Sequence, residues 1–436
     1  MREMKKSHIP FCEYIPNTWN EMPNRYLFES HSSKVGDRSG EYQLLSLTTS
    51  GVKKKDPDSG GGKVPESYDN YQTVEKGDIV FCLFDLDVSA VFSGLSKLDG
   101  MITSAYDVFR ARHKYVDDHY LDYWFQYVFS NRHYKMFSKN IRYTITGEMF
   151  KSIYTPVPSI EKQCKIGALL DRESEKIDAL IANQEAQIEK LKQYKQSLIT
   201  EVVTKGLDPD APMKDSGIEW IGVIPKDYIV IGISHILDKS HPYPFGDGDH
   251  GLIKPDDYTT SGVPYIRVQN LGWGTELLTD NMVFISKERN EMIKNSTLRP
   301  NDVLFAKTGA TIGKTGIIPT NMPIANTTSH VGKITVSPKY YARYIFYVLT
   351  SFIGYRQFWE IACQKTTRPE LAINEMKAIK LVIPRSLDKQ KMIVEALDKK
   401  SMAVDRLIEI KEQKINRLVN MKKSLIYEYV TGKKEV

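Results

Sequence analysis

The sequence lacks the features that mark membrane, secreted and zinc-ribbon proteins. Its 436 residues contain no uninterrupted apolar run of about 18 residues, the minimum for a membrane-spanning helix. The first eight residues lead into no apolar segment, so we expect no signal peptide. The four cysteines lie far apart and form no Cys-x-x-Cys pair, which argues against a disulfide framework or a zinc site. We therefore expect a cytoplasmic protein that holds no metal.

One stretch imitates a nucleotide-binding loop. The sequence KTGATIGKTG, residues 307–316, contains Gly-Lys-Thr, but only three residues separate Gly309 from Gly313, where a P-loop has four. A P-loop also opens a helix, whereas here β-branched residues and Pro319 follow. We interpret the stretch as a strand–loop–strand unit. A nucleotide-binding enzyme that uses residues 307–316 is kept as an alternative.

The chain contains a long internal repeat. The 44 residues that start at Glu161 match those that start at Asp388 without a gap, and 19 of the pairs are identical. A shorter repeat lies upstream of each segment, where Ile-Pro-x-x-Trp at Ile15 corresponds to Ile-Pro-x-x-Tyr at Ile224. The chain therefore consists of two halves, each with an entry motif, a variable region and a repeated segment.

Both repeated segments are predicted to be long helices. They contain no proline, and apolar residues recur at alternating steps of four and three, the spacing of a coiled-coil seam. The alternative is an ordinary amphipathic helix packed on its own domain. We favour an antiparallel coiled coil with pseudo-two-fold symmetry, because two equivalent stripes in one chain can pair. The predicted seam residues are Ile177, Ile181, Ile188, Leu191, Leu198, Val404, Ile408, Ile415, Leu418 and Leu425.

The two variable regions are predicted to be mixed, mainly β domains. Strand-like runs begin at Gly77-Asp78 and at Asn301-Asp302, and helix-like runs begin at Tyr120 and Tyr341. The regions share this order of elements but little sequence. Repeated scaffolds with divergent inserts indicate one task performed on two different targets.

In these features the chain resembles the specificity subunits of type I restriction–modification systems. The resemblance covers nearly the whole chain. Its carriers are the two Ile-Pro entries, the duplicated helix "IDALI…IEKLKQYKQSLITEVVTKG", and the stretches "GVPYIRVQNL", "NDVLFAKTGATIGKTGII" and "TTRPELAINEMKAIKLVIP". Each motif is weak alone, but together, in order and duplicated, they are specific.

The resemblance implies an α/β (α+β) chain in which two long helices separate two target recognition domains. The boundaries that we predict are 1–160 for the first recognition domain, 161–206 for the first helical spacer, 207–228 for a linker and entry, 229–387 for the second recognition domain and 388–436 for the second spacer. Each recognition domain would bind one half of a split, asymmetric sequence in double-stranded DNA.

The resemblance also implies that the chemistry belongs to other subunits. Two methyltransferase subunits would dock on the helices, and two restriction/translocase subunits would join them. S-adenosylmethionine, ATP and Mg²⁺ would bind to those partners, and this chain would have no catalytic residue and no cofactor. The sequence agrees, since it has neither a Walker A motif nor the Asn-Pro-Pro-[Tyr/Phe] tetrapeptide of base methyltransferases.

Candidate DNA-contacting residues are basic, hydroxyl and aromatic side chains in predicted loops, because phosphates attract Lys and Arg and base edges require hydrogen-bonding groups. The candidates in the first region are Lys53, Lys54, Ser104, Tyr106, Arg110, Arg112, Arg142 and Tyr143. Those in the second region are Lys307, Thr308, Thr311, Lys314, Lys365, Thr366, Thr367 and Arg368. For each residue the alternative is a solvated surface side chain. A coiled-coil interaction protein with no DNA role is the remaining alternative for the whole chain.

Overall fold

The computed structural model describes residues 3–31, 33–49, 51–56, 67–138, 143–274, 277–322, 324–362 and 369–436. The chain divides into two compact units. The first unit comprises Met1–Glu185 and Glu412–Val436, and the second comprises Ala186–Lys411. Each unit thus contains one variable region and a part of both repeated segments.

The described residues form nine α-helices, numbered here in chain order. They are Asn24–Leu27 (α1), Asp118–Ser130 (α2), Gly147–Ser152 (α3), Ile160–Lys205 (α4), Lys287–Met292 (α5), Ala342–Thr350 (α6), Phe352–Ala362 (α7), Ile373–Met376 (α8) and Leu387–Val430 (α9). The two longest, α4 and α9, coincide with the repeated segments, which confirms the prediction of two long helices.

The described strands are short and also numbered in chain order. Those before α4 are Met4–Lys6 (β1), Tyr14–Pro16 (β2), Asn20–Pro23 (β3), Phe28–Ser30 (β4), Leu45–Thr48 (β5), Gly51–Lys54 (β6), Gln72–Val74 (β7), Asp78–Phe81 (β8), Ser93–Leu95 (β9), Gly100–Ile102 (β10), Asp107–Ala111 (β11) and Tyr154–Val157 (β12). Those after it are Met213–Asp215 (β13), Val223–Pro225 (β14), Tyr228–Gly232 (β15), Phe245–Asp247 (β16), Val263–Ile266 (β17), Val283–Ile285 (β18), Val303–Ala306 (β19), Thr315–Ile317 (β20), Asn326–Thr327 (β21), Val331–Ile334 (β22) and Lys380–Pro384 (β23).

The same four-stranded antiparallel sheet occurs in both units. Its strand order is β4-β11-β8-β9 in the first unit and β16-β22-β19-β20 in the second. The inner strands β8 and β19 are buried along their whole length, which explains why residues 79–81 and 303–306 are all apolar. The two variable regions therefore share an architecture that their sequences hardly show.

A tight turn starts the inner strand of each sheet. Gly77 and Asn301 adopt left-handed φ angles of 94° and 70°, which glycine and asparagine tolerate better than other residues. The next residue in each case is a buried aspartate, Asp78 or Asp302. Its carboxylate accepts a hydrogen bond from the backbone N–H three residues earlier, at 2.7 Å in the first unit and 2.9 Å in the second. The predicted Gly/Asn-Asp strand starts are thus confirmed, and the turn explains their composition.

Helices α4 and α9 pair in antiparallel fashion within each unit. In the first unit Lys422 Nζ lies 2.7 Å from a carboxylate oxygen of Asp178, and Lys162 on α4 pairs with Glu435, which follows the end of α9. In the second unit Lys195 Nζ lies 2.8 Å from Asp405, and Lys411 bonds to Gln187. The pairs Asp178–Lys422 and Lys195–Asp405 involve residues that correspond in the repeat.

The predicted seam residues lie on the less exposed side of α4 and α9. All ten are buried or partly buried, whereas most of their neighbours on the helices are exposed. Polar residues at seam positions, among them Gln184 and Lys195, are buried as well. The antiparallel pairing and the seam confirm the predicted coiled coil within each unit, and the buried polar residues oppose a slip of one helix along the other.

A buried tyrosine ties each sheet domain to the long helices. Tyr120 on α2 places its hydroxyl 2.9 Å from the carbonyl oxygen of Pro156 and 3.3 Å from that of Val430. In the second unit Tyr344 on α6 lies 3.0 Å from the carbonyl oxygens of both Val203 and Val382. Burial raises the pKa of both phenols well above the usual value, so both stay protonated and donate.

The carboxyl group of Asp122 on α2 should make stability depend on pH. Burial raises its pKa to about 6, although hydrogen bonds from Gln126 and from the Leu95 N–H oppose the shift. A carboxyl group with a raised folded-state pKa binds its proton more tightly in the folded protein. Its contribution is therefore fully present below the unfolded pKa of about 4 and is lost as the pH rises through 6, by up to about 3 kcal/mol.

We expect Asp122→Asn to remove this loss. Between pH 4 and pH 7 the free energy of unfolding of the variant should gain up to about 3 kcal/mol on that of the wild type, as measured by urea unfolding followed by circular dichroism. Asp37→Asn, which alters an exposed carboxylate in a 3-10 turn, is the control and should change little. A constant difference between Asp122→Asn and the wild type across this range would contradict the assignment.

Candidate nucleic-acid interface

The stretch that imitates a P-loop lies between two paired strands. β19 precedes it, a 3-10 turn at Gly309–Thr311 follows, and β20 returns antiparallel to β19, with Val303 opposite Ile317. The threonine of the Gly-Lys-Thr sequence, Thr315, is the first residue of β20 and opens no helix, so the loop cannot direct a helix N-terminus at a phosphate. The strand–loop–strand prediction is confirmed.

A second glycine-rich stretch has the spacing of a dinucleotide-binding loop. Residues 246–251 read Gly-Asp-Gly-Asp-His-Gly and begin within β16, but the next helical element is only a 3-10 turn at Pro255–Asp257. Asp249 instead closes a turn, because its carboxylate accepts hydrogen bonds from the backbone N–H groups of Ile253 and Ser329, at 2.7 and 3.1 Å. The stretch is therefore structural and does not form a nucleotide-binding fingerprint.

Four segments meet at one end of the second unit's sheet, where β16 and β19 end and β20 and β22 begin. We call this surface the tip of the second unit and define it as residues 247–250, 307–314, 328–330 and 369–371. Backbone hydrogen bonds join the segments: Lys307 N–H donates to His330, Gly309 N–H to Pro369 and Leu371 N–H to Lys307, at 2.9–3.0 Å. The chain enters the last segment directly from Lys365, Thr366, Thr367 and Arg368, which lie outside the described residues.

Lys307 occupies a buried position at this tip. Its side chain is 8% exposed, and its ammonium nitrogen lies 2.5 Å from Asp247, whose side chain is 9% exposed. A buried ion pair of this kind is costly to break, because the remaining charge has no partner. Contact between Lys307 and a DNA phosphate stays a prediction, and the ion pair favours a role in holding the fold.

The other predicted residues of the loop are more accessible. Thr308 places its hydroxyl 3.2 Å from His330 Nδ1, and the hydroxyl of Thr311 donates to the carbonyl oxygen of Thr308 at 2.7 Å. Lys314 is partly exposed, and among the described residues no carboxylate lies within 4.0 Å of it. Lys314 is therefore better placed than Lys307 to meet an external anion.

The corresponding end of the first unit's sheet contains three more predicted residues. We define the tip of the first unit as residues 82–92, 103–107 and 143–145. The Ile145 N–H donates to Leu83 at 2.8 Å and so holds the last segment in the way that Leu371 does in the second unit. Ser104 is exposed and Tyr106 is half-buried. The ammonium nitrogen of Lys135 lies over the ring of Tyr143, 4.5 Å from the ring centre. Arg142 lies outside the described residues.

An aromatic pair gives this tip a stacking surface. The rings of Phe84 and Tyr106 stack with centroids 6.1 Å apart, and Phe84 is partly exposed to solvent. Burial raises the pKa of the Tyr106 phenol, so its hydroxyl stays protonated and can donate a hydrogen bond at neutral pH. The tips thus differ in chemistry: the first presents a stacked aromatic pair, and the second contains a buried lysine–aspartate pair.

Two predicted arginines lie away from this tip. Arg110 sits opposite Asp78 at the other end of β11, and its guanidinium pairs with Asp78 at 2.9 Å and with Glu75 at 2.7 Å. Because the Asp78 side chain is fully buried, Arg110 is needed to balance its charge. Arg112 lies 3.9 Å from Glu29 on the surface. Contact between either arginine and DNA stays a prediction, and the pairing of Arg110 favours a structural role.

Lys53 and Lys54 are exposed on β6, which forms a hairpin with β5. The hairpin packs closely on β9: Gly51 of β6 lies so near Gly94 of β9 that a Cβ atom added at Gly94 would be 3.0 Å from the Cα of Gly51. Both lysines therefore project from an ordered strand beside the sheet of the first unit. Their contact with DNA stays a prediction.

The structure adds tip residues that the sequence did not single out. Asp247, His330 and Glu370 join the second tip, and Phe84 joins the first. They come from segments far apart in the chain, and no local motif marks them. In the sequence, only the acidic, glycine-rich stretch at 246–251 could have drawn attention to Asp247.

Two other kinds of site find no support in the described part of the chain. It contains no cluster of three or more His, Cys, Asp or Glu side chains that could coordinate a metal ion. Among its helices, none combines the length and the apolar character that crossing a membrane requires.

Comparisons with known proteins agree with this organisation. Residues 251–420, which include three of the four segments of the second tip, match the family model of the type I restriction modification DNA specificity domain. This part of the chain is therefore similar to a DNA specificity domain of that family. The chain is also 25% identical, over 259 residues, to the specificity subunit of the type I restriction enzyme EcoBI of Escherichia coli. The match covers 58% of this chain and 52% of the relative, so the chain spans about half the length of that protein.

A solved structure supports the fold of the whole chain. It comes from work on the structural basis of complex assembly and conformational transition of the type I R-M system, and it superposes with a TM-score of 0.64. The match covers 95% of this chain and 98% of that chain at 14% identity, which supports the fold alone. Together the matches confirm the resemblance to type I specificity subunits.

Proposed function

We propose that this chain is the DNA-binding specificity subunit of a type I restriction–modification complex. The observation that carries the proposal is the duplicated sheet: two units of one strand order each present a different tip, and most of the second tip lies in a segment that matches a DNA specificity domain. Two different tips suit two different half-sites, so the target would be bipartite and asymmetric. Such a role places the chain in the cytoplasm, with the DNA.

We propose that the long helices dock two methyltransferase subunits. Apolar side chains that are about half exposed recur at corresponding positions of the repeat: Leu180 and Leu407 are 45% and 48% exposed, and Tyr194 and Met421 are 56% and 57% exposed. Exposed apolar side chains of this kind typify protein interfaces. Their repetition supports a partner that is present in two copies. Two restriction/translocase subunits would join the complex through the methyltransferase subunits.

The chemistry would then belong to the partners. S-adenosylmethionine would bind to the methyltransferase subunits, and ATP with Mg²⁺ to the translocases. The present chain would supply sequence recognition and a scaffold, with no catalytic residue of its own. The geometry of the loop at 307–316 supports this division, because the loop opens no helix.

DNA binding by the full-length chain, assembled with the methyltransferase subunits of its own system, tests the proposal. We expect affinity for its target to fall steeply with salt, and Lys314→Ala to weaken binding and reduce the salt slope by about one. Lys339→Ala, which removes an exposed lysine from a turn outside the tip, is the control. Affinity that is independent of salt and of Lys314 would favour an interaction protein without a DNA role. Saturable ATP binding that requires Lys314 would favour the nucleotide-binding enzyme and contradict the proposal.

A further inference from the structure

A line of four charged or polar side chains crosses the tip of the second unit. His250 Nε2 lies 3.3 Å from one carboxylate oxygen of Asp247, and the other oxygen lies 2.5 Å from Lys307 Nζ. The same ammonium lies 3.5 Å from Glu370 Oε1. The centre of the line is buried, while its ends are accessible: the side chain of Glu370 is 52% exposed.

Asp247, Lys307 and Glu370 contribute two carboxylates and one ammonium group to this line. Asp247 makes the shorter contact with Lys307 and shares its burial, so it takes up most of the lysine's charge. Glu370 is more distant and faces solvent. Its ionised carboxylate can therefore accept hydrogen bonds from a group outside the protein.

The backbone fixes the position of Glu370. Its neighbours on both sides are bound to the loop of the second tip, through Gly309 N–H to Pro369 and Leu371 N–H to Lys307, both at 2.9 Å. Thr308 and Glu370 lie opposite each other in a β-bridge. The backbone of Glu370 is thus held by hydrogen bonds, and this fixes the place from which its side chain extends.

A surplus carboxylate at a DNA-binding surface is unfavourable near phosphates, because like charges repel. It is favourable against a base edge that presents a donor, and in the major groove these donors are the exocyclic amino groups of cytosine and adenine. We propose that Glu370 is a specificity-determining residue whose carboxylate accepts a hydrogen bond from such an amino group, with Lys307 as its positioning residue. This inference rests on the proposed function, since it assumes that the second tip faces DNA.

The test uses the full-length chain in complex with its methyltransferase subunits. Selection from a random-sequence DNA library first defines both half-sites. Each cytosine and adenine of the second unit's half-site is then replaced by an analogue without the exocyclic amino group, and affinity is measured for wild type and Glu370→Ala. At one position the deletion should weaken binding of the wild type about 10-fold and that of the variant less than about 2-fold. That base identifies the amino group as the N4 of cytosine or the N6 of adenine.

Two further variants sharpen the result. Glu370→Gln keeps an acceptor oxygen and adds a donor, so the variant should prefer adenine at that position, because glutamine can bind adenine through two hydrogen bonds. Glu291→Ala removes an exposed carboxylate from α5 and should leave every position unchanged. Thermal unfolding of each variant verifies that it is folded.

The outcomes separate this inference from the proposed function. If the wild type selects a bipartite site but Glu370→Ala responds to every amino deletion as the wild type does, Glu370 only balances Lys307 and the inference is overturned. An equal loss of affinity at all positions would overturn it as well, because it would reveal a general effect on the tip. If the wild type selects no sequence at all, the proposed function itself fails.

Discussion

Gly248→Ala is expected to destabilise the second unit by about 3 kcal/mol, because the new methyl group would collide with backbone. A Cβ atom at this position would lie 2.1 Å from the carbonyl oxygen of Thr327 and 2.2 Å from the carbonyl carbon of Thr328. Backbone atoms cannot rotate away as a side chain can, and Thr327 is held in β21, which pairs with β17. The turn of residues 247–250 would have to move, and with it Asp247 and the ion pair to Lys307.

The neighbouring glycine offers a matched control. A Cβ atom at Gly246 would meet no atom within 4 Å, so Gly246→Ala should change the free energy of unfolding by less than about 1 kcal/mol. Urea unfolding of both variants, followed by circular dichroism, measures the difference. Equal effects at the two positions would show that the close approach of residues 248 and 327 is not maintained in solution.

Exchange of residues 229–384 for the corresponding segment of another specificity subunit is expected to change one half of the DNA target completely and to leave the other half unchanged. The segment contains the whole sheet of the second unit and its tip, while α4 and α9 lie outside it. Its two ends are also paired, since β15 and β23 are antiparallel, with Ile229 opposite Ile383. The exchange therefore transfers a domain whose first and last strands pair with each other.

The first unit provides the reciprocal exchange. There β3 and β12 pair in the same way, with Asn20 opposite Val157, so residues 19–158 form an equivalent closed segment. Exchange of this segment should change the other half of the target. Methylation mapping in cells reports both halves at once. A change in both halves, or in neither, after a single exchange would contradict the modular account.

The sequence predicts the helices better than it predicts the tips. The seam is visible because the same spacing of four and three residues occurs in both repeated segments. The structure confirms antiparallel pairing through the ion pairs Asp178–Lys422 and Lys195–Asp405. The shared sheet order is hidden, because β8 and β19 need only be apolar and need not be alike. The upstream repeat is longer than the Ile-Pro motif. The hairpins β1–β2 and β13–β14 have the same pairing, and Met-Lys occurs at the start of both, at Met4 and Met213.

The roles of individual cations could not be read from sequence, because their partners are distant along the chain. Lys307 has the composition of a phosphate contact, but its carboxylate partner, Asp247, lies 60 residues earlier. Arg110 likewise pairs with Asp78, 32 residues away and on the adjacent strand. Only the sheet register brings these charges together. The same register leaves Lys314 without such a partner among the described residues and leaves Glu370 exposed.

Methylation mapping of the genome in cells with and without this chain tests the central claim most directly. The account predicts a single bipartite, asymmetric motif that carries methylated adenine when the chain is present and loses it when the chain is deleted. The motif should return when the gene is restored. An adenine methylation pattern that stays unchanged after deletion, in cells that retain the methyltransferase subunits, would contradict the assignment of this chain as the subunit that recognises the DNA sequence.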